Sequence, residues 1–481
     1  MKNTILFPLS ALLFVSCSNS RKEKEPEQPN ILFILTDDQG WSQVSSPMHP
    51  KIPESASQYL STPNIDRLGD AGMRFTSGYA PAPISTPTRR CILTGTSAAR
   101  SGTEFTSYFV PAEHMTIPNA LKQANPNYFC AHFGKWGEGM ISSPEDCGYD
   151  ASDGETDNRT GGSPSSLGVV RRQQSPPYFI DNEDPKRTFS VTDSAVAFMQ
   201  RAVGENRPFY VQVSYYAVHL SIICREETLR KYQQKGDPDR RYSQAWTAML
   251  DELDKGVGSL LDALDVLGIS DNTYVFFMSD NGSQKKPIIP GKNEKALPVN
   301  YPLSGSKQTL FEGGIRVPFL VRGPGIKPRS CSHVPVVGYD LLPTFYDLAG
   351  GTKALPGEVD GGSIRPLFKD PDGEVERQCN ALIFHRPGRL SSAIRQGPYK
   401  LFIKWNKDAE IESRNLYNLD AEVIESERTD IIGSMTDQAD QLQNTLLNYL
   451  RSVNARDPKS ITDEELTLPK YKDTFIYYLK K

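Results

Sequence analysis

No apolar run in this sequence is long enough to cross a bilayer. The stretch Ile5 to Val15 near its start falls well short of the roughly 20 residues a spanning helix needs. An excess of positive charge is missing too: 54 Lys and Arg face 58 Asp and Glu, for a net charge of -4. That balance excludes the broadly basic surface with which proteins hold nucleic acid. An anionic ligand would have to be recognised by a few local cations instead. No segment repeats with the period of a solenoid or propeller. The seven cysteines lack the paired spacing of a zinc site. At 481 residues the chain is too long for one compact core, which predicts one large domain and a smaller one.

Apolar runs without polar alternation are present, and they recur. Asn30 to Leu35 is rich in strand formers and stops at Thr36-Asp37-Asp38. Thr273 to Met278 stops at Ser279-Asp280-Asn281, Phe209 to Tyr216 ends shortly before His219, and Tyr128 to Phe133 ends before Gly134-Lys135. Such runs suit strands buried on both faces of a parallel sheet. Between them, Trp246, Met249, Leu250, Leu253, Val257, Leu260, Leu261, Leu264 and Leu267 share one helical face, with Gly268 as a C-cap. Strand–helix alternation predicts an α/β fold whose large, mainly parallel sheet is sandwiched by helices. Ligands in such sheets bind beyond the carboxyl ends of the strands, where these four runs deliver their polar residues.

Past about Pro371 the texture changes. Ala393 to Lys404 and Asn415 to Leu419 read as strands of a small antiparallel sheet, and Ala439 to Leu450 as a helix. The expected division is residues 30–371 for the large α/β domain and 372–481 for a smaller C-terminal α+β unit. Ser152 to Arg187, rich in Gly, Ser, Asp and Pro, reads as a long loop bordering a cleft.

At the other end, Lys2 and the short run to Val15 read as a signal peptide over residues 1–16. Phe14-Val15-Ser16-Cys17 resembles a bacterial lipoprotein cleavage site, so Cys17 is the expected lipid anchor; ordinary secretion is the alternative. Residues 17–29 read as a flexible tether. No acidic run follows Cys17 directly, which favours an envelope anchor facing the periplasm. The remaining cysteines either pair in an oxidising compartment or stay as buried thiols.

One segment carries specific chemistry. Ser85-Thr86-Pro87-Thr88-Arg89, followed by Leu93-Thr94-Gly95, resembles the maturation motif of the type I, formylglycine-dependent sulfatases, in its serine form. Gly134-Lys135-Trp136, His219, Ser279-Asp280-Asn281-Gly282, Gly305-Ser306-Lys307 and Phe311 to Pro318 match further family segments in order. Ala393-Ile394-Arg395 and Leu416-Tyr417-Asn418-Leu419 resemble the family's tail, so the likeness spans the mature chain and includes glycosaminoglycan sulfatases of the Bacteroides type. It implies an alkaline-phosphatase-like fold. It also implies that Asp37, Asp38, Asp280, Asn281 and the modified Ser85 hold a divalent ion, with Arg89 steadying the site. Lys135 and Lys307 would clamp sulfate oxygens, and His219 would protonate the departing oxygen. An all-oxygen shell with three carboxylates favours Ca2+, with Mg2+ possible, over zinc.

The chemistry makes sense of the modification. A serine that accepted a sulfuryl group would hold another stable sulfate ester. Oxidised to formylglycine (3-oxoalanine) and hydrated, Ser85 carries two hydroxyls: one attacks sulfur, and the other expels sulfate as the aldehyde re-forms. This requires a partner, a sulfatase-maturing enzyme that accepts serine. One departure stands out: the family pattern continues His, any residue, Gly, whereas this chain reads Gly137-Glu138-Gly139.

The expected reaction is hydrolysis of a sulfate ester on a carbohydrate, an O-sulfated uronic acid or hexosamine of heparan, heparin or chondroitin type. His385, Arg386, Arg389 and Arg395 are candidates for contacting a sugar carboxylate or second sulfate; His132 has no such support. Two alternatives remain open on the sequence alone. One is a phosphoester or phosphonate ester hydrolase of the same superfamily. The other is a sulfated-glycan-binding protein without catalysis.

Overall fold

The computed structural model describes residues 1, 28–102, 114–138, 142–170, 175–284 and 296–458. The signal-peptide reading and Cys17 lie outside them. An eight-stranded sheet forms the centre. Its strands are β1 (Asn30–Thr36), β2 (Met73–Phe75), β3 (Phe129–Gly134), β4 (Ala151–Ser152), β5 (Phe209–Ser214), β6 (Thr273–Ser279), β7 (Phe319–Arg322) and β8 (Ser330–Ser332). Their spatial order is β8-β2-β7-β6-β1-β5-β3-β4. All neighbours run parallel except β7, which is antiparallel to both β6 and β2. The four strands read from the sequence, β6, β1, β5 and β3, are consecutive neighbours in this order. They are buried along their whole length, which is why their residues do not alternate.

Helices cover both faces. The long one, α3 (Gln244–Val266), begins where the Ser243 hydroxyl accepts from the Trp246 N–H at 3.1 Å, a cap that contributes about 1 kcal/mol. Its apolar face lies against the core, where each fully buried leucine contributes about 1.5–3 kcal/mol. Helix α2 (Thr188–Gly204) packs beside it, and Val191 of α2 approaches Gly134 at the end of β3. Gly134 has φ +92, and a Cβ there would meet the Ser214 carbonyl oxygen at 2.0 Å, so only glycine fits this turn.

The C-terminal sheet is antiparallel, in the order β9 (Leu382–Arg386), β10 (Ser391–Gln396), β11 (Tyr399–Trp405) and β12 (Ile411–Asn418). The stretch Ala393 to Lys404 is therefore not one strand but most of a hairpin. Gly397, at φ +54, and Pro398 turn the chain between β10 and β11. Strand β9 went unread, because His385 and Arg386 mask its apolar pattern. Helix α4 (Thr436–Ser452) covers this sheet through Ala439, Leu442 and Leu446. Phe384, Ala393 and Phe402 join Tyr79, Leu310 and Ile315 in one apolar cluster, which ties the small sheet to the large layer. The six cysteines among the described residues are free thiols, so this core is held by packing and hydrogen bonds. No helix among the described residues is long and apolar enough to cross a membrane.

Candidate active site

Strand register assembles the site. Thr36 pairs with Ser279, and Leu35 and Gly134 both pair with Ser214, so the carboxyl ends of β1, β6, β5 and β3 are level. The residues that follow, Asp37, Asp38, Asp280, Asn281 and Lys135, therefore emerge at one edge. Backbone bonds pin them: Asp280 N–H donates to the Thr36 oxygen at 3.0 Å and Lys135 N–H to the Ser214 oxygen at 2.7 Å. Asp38 adopts φ +63, in the left-handed region that aspartate tolerates better than most residues.

Ser85 is the first residue of helix α1 (Ser85–Thr94), with Pro87 in the first turn, where its missing N–H is not needed. The helix start faces the strand ends. Ser85 Oγ lies 3.3 Å from Asp37 Oδ1 and 3.2 Å from Asn281 Oδ1. One turn on, Arg89 grips Asp280 Oδ2 through Nε at 3.0 Å and Nη2 at 2.8 Å, and donates from Nη1 to the Lys135 oxygen. Lys135 Nζ lies 2.5 Å from Asp37 Oδ2, and Lys307 Nζ 2.6 Å from Asp38 Oδ1. His219, from the loop after β5, places Nε2 3.9 Å from Asp38 Oδ2. Gln284, which the sequence did not single out, donates to Asp38 Oδ2 at 3.0 Å. Every predicted site residue thus falls in one cluster.

The electrostatics follow from burial and pairing. Burial alone would raise the Asp37 carboxyl, but Lys135, His219, Arg89 and Lys307 reverse this and hold it well below the ordinary range. Asp38 is likewise held low against its burial by Lys307 and His219. Asp280 goes the other way, raised by burial and by Asp37 beside it. Burial lowers His219 to about 4, which leaves its imidazole neutral at pH 7. Burial would also lower Lys307, but Asp38, Asp37 and Asp280 raise it.

Three converging buried carboxylates with an amide and a hydroxyl are the donor set of a hard divalent cation. Ligand atoms of Asp37, Asp38 and His219 lie within 4.8 Å of one another, so this group could hold a metal ion. At the departure from the family pattern, Gly137 N–H donates to the Thr156 oxygen. Glu138 donates its N–H to Thr86 Oγ1 at 3.0 Å, and its carboxylate accepts from the Asn158 N–H at 2.7 Å.

Of the four candidate sugar contacts, three are otherwise engaged. His385 is buried between Ser392 Oγ at 2.7 Å and the Arg456 oxygen at 2.8 Å. Arg395 donates to the Tyr79 hydroxyl at 2.7 Å and pairs with Asp420, while buried Arg386 donates to the Gln308 oxygen. A neighbouring strand or loop was closer to each than any ligand would be, which the sequence could not show. Arg389 alone is exposed, reaching Gln308 Oε1 at 3.3 Å, next to Lys307. His132 is a core residue, packed on Trp136 and Tyr149.

Strand topology, a helix start and a buried carboxylate–cation cluster together define an alkaline-phosphatase-like hydrolase. A family model described as Sulfatase matches residues 29–351, and the chain belongs to that family, whose members are sulfuric ester hydrolases. It is 27% identical to a sulfatase of Formosa agariphila across 99% of this chain and 98% of that one. It is 29% identical to N-acetylgalactosamine-6-sulfatase of Canis lupus familiaris, across 83% of this chain and 76% of that one. The solved structure of Ps i-CgsB in complex with k-i-k-neocarrahexaose shares the fold, with a TM-score of 0.72 at 24% identity over 93% of this chain and 99% of that one.

Proposed function

We propose that this sulfatase hydrolyses a sulfate ester on a carbohydrate, an O-sulfated uronic acid or hexosamine of a glycosaminoglycan, at Ser85 converted to formylglycine. The observation that carries the reading is Ser85 Oγ held between Asp37 and Asn281 at the mouth of a buried cluster of three carboxylates and three cations. The relatives add the substrate class: one is named for a sulfated hexosamine, and one structure holds a neocarrahexaose.

Asp37, Asp38, Asp280 and Asn281 would hold Ca2+, which when bound would polarise a sulfate oxygen and the Ser85-derived hydroxyl. The hydrated aldehyde at position 85 would supply both the nucleophile and the means of releasing sulfate. Lys135 and Lys307, already turned inward, donate to the ester's anionic oxygens. Arg89 opposes the upward push of burial on the Asp280 carboxyl and fixes it against α1. His219 hands a proton to the departing sugar oxygen; the charge of the bound ester favours the imidazolium this step requires. Lipidation at Cys17 would hold the enzyme to a bacterial envelope, facing the periplasm, where glycan fragments arrive.

Matched aryl sulfate and aryl phosphate test the reaction class. Protein made with a serine-accepting maturase should turn over the sulfate faster, lose turnover to a chelator and regain it with Ca2+. Faster phosphate cleavage would favour the phosphoester alternative. Tight binding of a sulfated glycan without sulfate release would favour the binding protein.

A further inference from the structure

A fourth cation lies within electrostatic reach of the active-site cluster, and nothing in the mechanism above uses it. Lys186 sits just before α2, in a short turn over Pro185–Arg187. It is 2% exposed, although its neighbours in sequence make it look like a surface residue. Among the described residues its ammonium makes no hydrogen bond and no ion pair. The charges that act on it are Asp37, Lys135 and Asp38, all of the active site.

The backbone holds it there at a cost. Lys186 and Arg187 are consecutive non-glycine residues in the left-handed region, at φ +57 and +55. Side-chain-bearing residues adopt that conformation sparingly, and folds keep it where a side chain must be aimed. The turn packs on α2, α3 and the short strand Ile223–Cys224, so its position is fixed from three sides. Val191, one turn into α2, packs against Gly134, immediately before Lys135.

A lysine buried without a counter-ion is costly unless a ligand supplies the charge. Asp37, Asp38 and Asp280 are already matched one for one by Lys135, Lys307 and Arg89. Lys186 is the surplus. Burial lowers it to about 7, so an arriving anion would also restore its full charge. We propose that Lys186 is a further substrate-binding residue, whose ammonium donates to an anionic oxygen of the bound sulfate ester.

The proposal rests on the sulfatase reading, and the test separates the two. Calorimetry would measure inorganic sulfate binding to full-length Ser85→Ala protein with and without Lys186→Met, after elemental analysis shows equal metal content. Sulfate affinity should fall about tenfold or more when the ammonium is lost. In matured protein, Lys186→Met should lower kcat/KM for an aryl sulfate about 100-fold. Lys186→Arg, which keeps the charge, should stay within about tenfold of wild type. Should Lys186→Met fail to fold, Lys186→Gln takes its place. If wild type cleaves the sulfate while the neutral variants match it in binding and turnover, Lys186 is structural and the proposal is overturned. Equal losses in the neutral and Arg variants would overturn it as well, because shape rather than charge would then matter. A matured wild type that cleaves no sulfate overturns the parent reading instead.

Discussion

Two groups of buried charge in this chain use the same residue types to different ends. Beneath the small sheet, Lys400 Nζ lies 2.9 Å from Glu312 Oε1 and 2.8 Å from Glu425 Oε1, and donates to the Leu310 oxygen. Arg316 lies 2.5 Å from Glu312 Oε2, the Tyr79 hydroxyl donates to the same oxygen, and Glu312 N–H donates to Glu425 Oε2. Each cation there serves several protein acceptors, and Tyr79, Glu312, Arg316, Lys400 and Glu425 are all buried. In the catalytic cluster each lysine meets one carboxylate oxygen, Lys186 meets none, and His219 and Lys307 keep an edge exposed. The first cluster is closed by the protein, while the second has donors left for a ligand. Burial alone does not distinguish function from architecture; unspent hydrogen-bonding capacity does.

Breaking either cluster should therefore have different consequences. The largest effect is expected for Asp37→Asn, which weakens the cation site and leaves Lys135 buried without its anion. Steady-state kinetics on matured protein should show a loss of at least about 1,000-fold in kcat/KM. Lys400→Met should instead cost about 3–5 kcal/mol of stability in urea denaturation, because it leaves Glu425 buried without a cation and takes one of its two cations from Glu312. Its kcat per folded molecule should stay close to wild type. A Lys400→Met protein that kept its stability but lost turnover would merge the two clusters and undo the distinction.

A pH titration sharpens the comparison on the structural side. Trp405 Nε1–H donates to Ser392 Oγ, whose hydroxyl donates in turn to His385 Nδ1, while Nε2–H donates to the Arg456 oxygen. That chain needs a neutral imidazole, and burial lowers His385 to about 4. An unfolded histidine gains its proton below about 6.5, so this stability is complete above that pH and drains away as pH falls toward 4. By pH 5 the loss from His385 should be on the order of 2 kcal/mol in denaturant midpoints, and His385→Asn should flatten that slope. The smallest effect is expected for exposed Arg389→Ala. It should raise KM for a multiply charged oligosaccharide by about tenfold or less, leave kcat in place, and spare an aryl sulfate that carries no charge beyond its ester.

Much of this was legible in the residues, for identifiable reasons. The four neighbouring strands β6, β1, β5 and β3 are buried on both faces, so each appears as an unbroken apolar run, and each run ends on the polar residues that form the site. Asp37, Asp280, Lys135 and Ser85 lie in segments that resemble family motifs, and strand register then brings them together. Lys186 lies near the end of the long loop read over Ser152 to Arg187; its burial depends on how α2 and α3 pack, which has no local signature. The same holds for Arg395 and His385, whose partners include Tyr79 and Arg456, far away in the chain. The edge strands of the large sheet are two to four residues long, too short for any periodicity to register.

The central claim is that Ser85, once converted, is the group that attacks sulfur. It is tested most directly by sulfate release from one sulfated monosaccharide, using wild-type and Ser85→Ala protein made alongside a serine-accepting maturase. Mass spectrometry of the Ser85 peptide would accompany the assay. The account predicts an aldehyde in place of the serine hydroxyl in wild type, sulfate release in proportion to that conversion, and none from folded Ser85→Ala protein. Full sulfate release by Ser85→Ala, or by wild type with an unaltered serine, would contradict it.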